Sequence, residues 1–164
     1  MMKSLVLFYS WSGNTRRIAQ IIAAQAGADL LEIKPASAYP SEYDAVVSQA
    51  GKEIRERYRP PLRPLSMAWE QYEVVCLGPP NWCGTMAPPL ASFLWERMPT
   101  DKMIVPFCTH GGGGAGHIAH DIADYCIGCN MLPLLSVYGD GGSKAEKEVA
   151  LWLKRITKIL ELST

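Results

Sequence analysis

Short apolar runs rich in β-branched and aromatic residues alternate along the chain with longer stretches in which apolar positions recur every three or four residues. The runs predict strands near Lys3 to Tyr9, Asp29 to Ile33, Tyr72 to Gly78, Met103 to Thr109 and Leu132 to Val137. Each is too uniformly apolar to be half exposed, so burial on both faces of a parallel sheet is expected. Helices are predicted to begin near Asn14, Ser41, Met86, Gly114 and Ser143. The last has capping-box spacing in Ser143-Lys144-Ala145-Glu146, and its stripe of Val149, Trp152, Ile156 and Ile159 would pack it onto the sheet. Right-handed helical crossovers between five strands give a doubly wound parallel sheet, an α/β fold of three α/β/α layers. No repeat, linker or low-complexity segment divides the chain, and residues 1–164 read as a single domain.

Composition narrows the partners. With Lys+Arg and Asp+Glu both at 16, the net charge is zero, and no long basic run offers an electrostatic reason to bind nucleic acid or an anionic membrane. The apolar runs fall far short of the roughly 20 residues that span a bilayer. The N-terminus Met1-Met2-Lys3-Ser4 enters the first strand at once, without the apolar region and cleavage site of a signal peptide. The five cysteines, an odd count spread through apolar stretches, read as reduced packed thiols. A cytoplasmic location is the expectation.

In a doubly wound sheet, ligands bind outside the carboxyl ends of the strands, so the chemistry is sought in the strand-to-helix loops. The first loop, Ser10-Trp11-Ser12-Gly13-Asn14-Thr15, combines three hydroxyls, an amide, a glycine and the free N–H groups of a helix N-terminus, a combination suited to a phosphate or to a plain helix cap. The second, Gly78-Pro79-Pro80-Asn81-Trp82-Cys83-Gly84-Thr85-Met86, sets an indole on rigid backbone and suggests ring stacking. The third, Thr109-His110-Gly111-Gly112-Gly113-Gly114-Ala115-Gly116, is nearly bare backbone, which lets a flat ligand lie close. Neither Gly-x-x-x-x-Gly-Lys nor Gly-x-Gly-x-x-Gly occurs in the first turn, and the first and third strands end on Tyr9-Ser10 and Gly78-Pro79, without the carboxylates of a phosphate-accepting receiver domain.

These loops, in this order and each after a predicted strand, resemble those of the flavodoxin family over essentially the whole chain. Tyr9-Ser10-Trp11-Ser12-Gly13-Asn14-Thr15 is similar to the family's flavin phosphate loop, and Leu31-Glu32-Ile33-Lys34-Pro35 through Tyr39-Pro40 and Tyr43 resembles a subgroup with a long second crossover. The resemblance implies noncovalent FMN. Ser10, Ser12, Asn14 and Thr15 would hold its phosphate, Asn81, Trp82 and Gly84 would lie along the isoalloxazine, and the loop from Thr109 through His110, Gly111, Gly112 and Gly113 to Gly114 would close the other side. The candidate cofactor site also takes in Trp11, Gly13, Pro79, Pro80 and Cys83.

Two departures bear on function. The best-known flavodoxins are acidic around the flavin and often stack a tyrosine from the third loop, whereas the segments Ser10 to Thr15, Pro79 to Met86 and Thr109 to His117 contain no Asp or Glu, and glycines and His110 stand where that tyrosine would be. A bare third loop resembles the flavodoxin-like quinone reductases, and fewer negative charges favour two-electron chemistry. The readings are therefore an electron carrier docking on a redox partner protein, an NAD(P)H-dependent reductase of quinone-like acceptors, or a flavin-binding regulatory module without turnover. The chemistry is borne by the flavin, with no catalytic side chain predicted, and a homo-oligomer is left open.

Other residues read as structural. Cys126-Ile127-Gly128-Cys129 has dithiol spacing but ends a helix rather than opening one, and lacks the second ligand pair of a zinc site. His110, His117 and His120 lack carboxylates fixed beside them, so no metal is expected. Arg55, Arg57, Arg59 and Arg63 are expected at a solvated helix end, where cations complement the dipole.

Overall fold

A computed structural model describes residues 2–162. The chain runs β1 (Ser4–Phe8), α1 (Asn14–Ala26), β2 (Asp29–Glu32), α2 (Tyr43–Glu56), β3 (Val74–Gly78), β4 (Asn81–Trp82), β5 (Thr85–Met86), α3 (Pro88–Arg97), β6 (Met103–His110), α4 (Ile118–Tyr125), β7 (Asn130–Met131), β8 (Leu135–Tyr138) and α5 (Ala145–Leu162). β1, β3 and β6 form the parallel centre of the main sheet, with β2 beside β1. β7 and β8 pair with the two ends of β6, so together they occupy the fifth strand position. The predicted doubly wound α/β fold is observed.

Alternation within the strands builds two cores. Leu5, Leu7, Val75, Leu77 and Ile104 face one side, where Leu90, Phe93, Leu94, Ile118 and Ile122 from α3 and α4 cover them. Val6, Phe8, Cys76, Val105 and Phe107 face the other and meet Ile18 and Ile22 of α1 with Val149, Trp152 and Ile156 of α5. Each large aliphatic side chain so buried contributes about 1.5–3 kcal/mol relative to exposure. Among the described residues, no helix is long and apolar enough to cross a membrane.

Several predicted boundaries shift for local reasons. The strand expected over Leu132 to Val137 is split, because Pro133 lies between β7 and β8 and has no N–H to give a ladder. Its carbonyl instead accepts the indole N–H of Trp152 at 2.9 Å. Met86 belongs to the β4–β5 hairpin, and α3 starts two residues later at Pro88-Pro89, where prolines suit the first turn. The glycine loop continues past Gly114, so α4 begins only at Ile118. Ser143 sits inside a short 3₁₀ turn, Gly142–Lys144, that leads into α5, rather than outside that helix as its cap.

Candidate functional site

The three loops converge at the carboxyl edge of β1, β3 and β6. In the first, Ser10 is 8% exposed and its hydroxyl oxygen accepts the N–H groups of Gly13 at 3.1 Å and Arg16 at 3.2 Å. Gly13 takes the left-handed conformation, φ 100, at the N-cap of α1, where it has no side chain to cap with, and the Ser10 hydroxyl meets the first turn instead. The backbone N–H groups of Trp11, Ser12, Asn14 and Thr15 have no partner among the described residues. Ser12 is exposed beside them and Asn14 is half-buried. Open donors on a left-handed turn at a helix N-terminus fit a phosphate, which is what the donor set and the αL glycine require of an anion cradle.

The predicted loop residues divide their tasks. The Thr15 hydroxyl is buried and bonds to the Thr109 hydroxyl at 2.7 Å, which ties the start of α1 to the end of β6. Trp11 is half-buried, and its indole N–H donates to the Pro40 carbonyl at 2.9 Å. Both residues brace the loop that displays the N–H groups.

In the second loop, Pro79 and Pro80 run beside the end of β6, where Pro80 bridges Thr109. The chain then reverses through Cys83 (φ 55) and Gly84 (φ 82), two left-handed residues that close a tight hairpin. Asn81 fixes it from both sides, accepting the Gly84 N–H at 2.9 Å and donating to the Gly114 carbonyl at 2.7 Å. The His117 N–H donates to the Gly84 carbonyl at 2.7 Å. A Cβ on Gly116 would stand 2.3 Å from that carbonyl oxygen, so glycine permits this close approach of loops two and three. Trp82 is half-buried and stands edge-on to Tyr9 at 5.7 Å and Tyr39 at 5.0 Å. Cys83 is exposed at the hairpin tip.

The third loop leaves Gly111, Gly112 and Gly113 exposed. His110 steadies its start, its Nδ1 accepting the Gly112 N–H at 3.0 Å and its ring standing 5.8 Å from that of Tyr138.

Residues outside the predicted loops complete the picture. Arg16 clasps Glu32 through Nε at 3.1 Å and Nη2 at 2.7 Å, while its Nη1 lies 3.8 Å from where a Cβ on Gly13 would be. Hydrogen bonding to Glu32 raises the guanidinium pKa. Asp121 of α4 accepts the Thr85 hydroxyl. One carboxylate, that of Asp121, therefore does reach the acid-free second loop, and Glu32, next to the first, is paired with Arg16. Behind Trp82, the Tyr39 hydroxyl donates to buried Glu53 at 2.6 Å, and Gln49 donates to the other oxygen at 2.9 Å. Burial, then Glu53, pushes the Tyr39 and Tyr9 phenols above the ordinary range. The Arg16–Glu32 spacing could have been suspected from the helix start beside a strand end, but nothing local marks Glu53.

Arg59 corrects the expectation of a solvated arginine cluster. It is half-buried, with its guanidinium 4.2 Å over Trp95 and its Nη2 donating to Tyr125 at 3.0 Å, and it lines a cavity of about 380 Å³ between α2, α3 and α4. Against the expectation that the histidines lack neighbouring carboxylates, His120 on the exposed side of α4 has Asp121 at 3.5 Å and Asp124 at 3.6 Å from its Nδ1. His110 uses its Nδ1 within the third loop, and the contact of His117 with Gly84 is made by its backbone N–H.

The likenesses to known proteins agree with this geometry. A candidate flavoprotein of solved structure from Bacteroides eggerthii is 27% identical, with a TM-score of 0.83 over 96% of this chain and 99% of that one. A second, from Bacteroides uniformis, is 23% identical with a TM-score of 0.81, covering 93% and 98% of the two chains. A flavoprotein from Lactobacillus acidophilus, solved in complex with FMN, is 21% identical with a TM-score of 0.75, covering 93% and 99%. No curated protein matches the chain. A family model described as flavodoxin matches residues 3–156, and with the doubly wound sheet and three converging loops it shows that the chain belongs to the flavodoxin family.

Proposed function

We propose that the protein binds FMN across these loops and works as an FMN-dependent oxidoreductase, taking reducing equivalents from NAD(P)H and passing them to a small quinone-like acceptor. FMN is supported by the family, by the open N–H cradle of the first loop and by the relative solved with that cofactor. The observation that carries the reductase reading is the exposed run Gly111 to Gly113, which presents bare backbone to solvent beside the exposed ring of Tyr138. A flat donor or acceptor can lie close against the peptide groups there.

When bound, FMN supplies the hydride and electron chemistry, and the protein supplies position and electrostatics. The N–H groups of Trp11, Ser12, Asn14 and Thr15 would take the phosphate, with Ser10 holding the loop in shape. Trp82, braced by Tyr9 and Tyr39, would offer the rigid aromatic neighbour of the ring. Asn81 would keep loops two and three at a fixed separation.

The test is the visible spectrum of the purified protein, followed by NADH and NADPH oxidation with and without a quinone. Quinone-dependent oxidation supports the reductase. A flavin that turns over with neither nucleotide, yet is photoreduced and passes electrons to a redox protein, makes the chain a carrier. A flavin inert in both assays leaves the regulatory module, and failure to bind FMN overturns the whole reading.

A further inference from the structure

The pair Cys126 and Cys129 lies at the end of the sheet opposite the three loops and independent of them. Cys126 caps the C-terminus of α4, and the Cys129 N–H returns to the Cys126 carbonyl at 3.0 Å. With Gly128 at φ 86 in the third position, residues 126 to 129 close a β-turn. Such a turn holds its first and last Cα atoms within about 7 Å, the separation a disulfide spans. The two thiols interact with one another, and both are free. Cys126 is 2% exposed, Cys129 is half-buried and donates to the Pro99 carbonyl at 3.3 Å, and Ile127 between them is 76% exposed. Cys129 is thus the more accessible residue of the two and Cys126 the buried one.

We infer that Cys126 and Cys129 form a reversible dithiol–disulfide site, oxidised by low-molecular-weight disulfides such as glutathione disulfide. The roles are unequal. Burial first, then the neighbouring Cys129, pushes the Cys126 thiol up to about 12, which makes it a poor first nucleophile. Cys129, as thiolate, attacks one sulfur of glutathione disulfide, forming a Cys129–glutathione bond while the other glutathione leaves and takes up a proton. Cys126 then releases its proton to solvent as its sulfur attacks that of Cys129, and the second glutathione leaves by the same route. The protein dithiol loses two hydrogens and one glutathione disulfide becomes two glutathiones. Because the pair closes a turn instead of opening a helix, no helix N-terminus stands behind its sulfurs, and the site suits slow redox sensing better than rapid oxidoreduction.

The experiment incubates the whole folded protein with glutathione disulfide, blocks remaining thiols after unfolding and maps the peptides by mass. The expected product joins Cys126 to Cys129 with loss of two hydrogens and no retained glutathione, exposed Cys83 carries a glutathione, and buried Cys76 and Cys108 are alkylated only after unfolding. Cys126→Ser should trap glutathione on Cys129, and Cys129→Ser should leave Cys126 unmodified. Excess dithiothreitol should restore both thiols. A persistent glutathione on Cys129 in the unsubstituted protein overturns the proposal, and so does a pair that stays reduced under conditions that modify Cys83. The unsubstituted protein decides the matter even if a serine variant fails to fold.

Discussion

The hydroxyl pair Thr15 and Thr109 links two loops 94 residues apart in sequence, and a double-mutant cycle measures what that link contributes. Thr15→Val keeps shape and β-branching but leaves the Thr109 oxygen, in a residue 3% exposed, without its partner. A buried hydroxyl left unsatisfied costs about 1–3 kcal/mol. Thr109→Val strands the Thr15 oxygen in a residue 1% exposed, at a similar cost. The double variant removes both polar groups at constant volume and should be nearly neutral, so the coupling should approach the sum of the two single losses, roughly 2–6 kcal/mol. The assay is urea unfolding of the FMN-free protein, because bound ligand would add its own stabilisation. Thermal midpoints should follow at about 2–4 °C per kcal/mol for a chain of this size. If the losses of the two single variants simply add in the double, the hydroxyls are not paired and the reasoning fails.

Other expectations follow from the same geometry. FMN should bind at least about tenfold more tightly than riboflavin, a difference of roughly 1.4 kcal/mol, and Gly13→Ala, strained by about 1–3 kcal/mol at φ 100, should weaken FMN while moving riboflavin little. Equal affinities for the two flavins would place the phosphate elsewhere. FMN should quench indole fluorescence, and Trp82→Phe should remove much of the quench and weaken binding by about 1 kcal/mol; an unchanged quench transfers the role to Trp11 or another of the five tryptophans. Gly116→Ala drives a methyl into the Gly84 carbonyl and should destabilise the fold by roughly 1–3 kcal/mol, seen as a lower urea midpoint; no change would show the loops free to separate. The raised phenols of Tyr9 and Tyr39 favour the native state fully below the unfolded tyrosine pKa of about 10, and that contribution should be lost progressively as pH rises above it. Tyrosinate absorbance should show these two ionising late or only on unfolding, and early ionisation of every tyrosine would contradict their burial.

The central strands and the order of the three loops were legible because they rest on local signals. Runs such as Leu5-Val6-Leu7-Phe8 carry their own burial on both faces, and Ser10 to Thr15 carries its own helix start. The β4–β5 hairpin was not legible, since its strands span two residues each and its turn puts a cysteine where asparagine or aspartate would announce a left-handed residue. Arg59 was misplaced because sequence position fixes a helix end but not the Trp95 and Tyr125 rings that receive it from other helices. The same holds for Thr15 and Glu53, whose partners arrive through tertiary packing. Loop placement was thus local information, while the braces that shape each loop were not.

The broken strand at Pro133 also governs how copies of the protein can meet. β2 forms one edge of the sheet and is only four residues long, and the other edge is divided between two-residue β7 and four-residue β8. Neither rim offers the long, flat row of open backbone groups on which strands of separate molecules add to one another. The interruption therefore works against edge-to-edge aggregation. It also directs any self-association toward helix faces and loops, leaving β-sheet continuation between subunits the least suited mode of assembly.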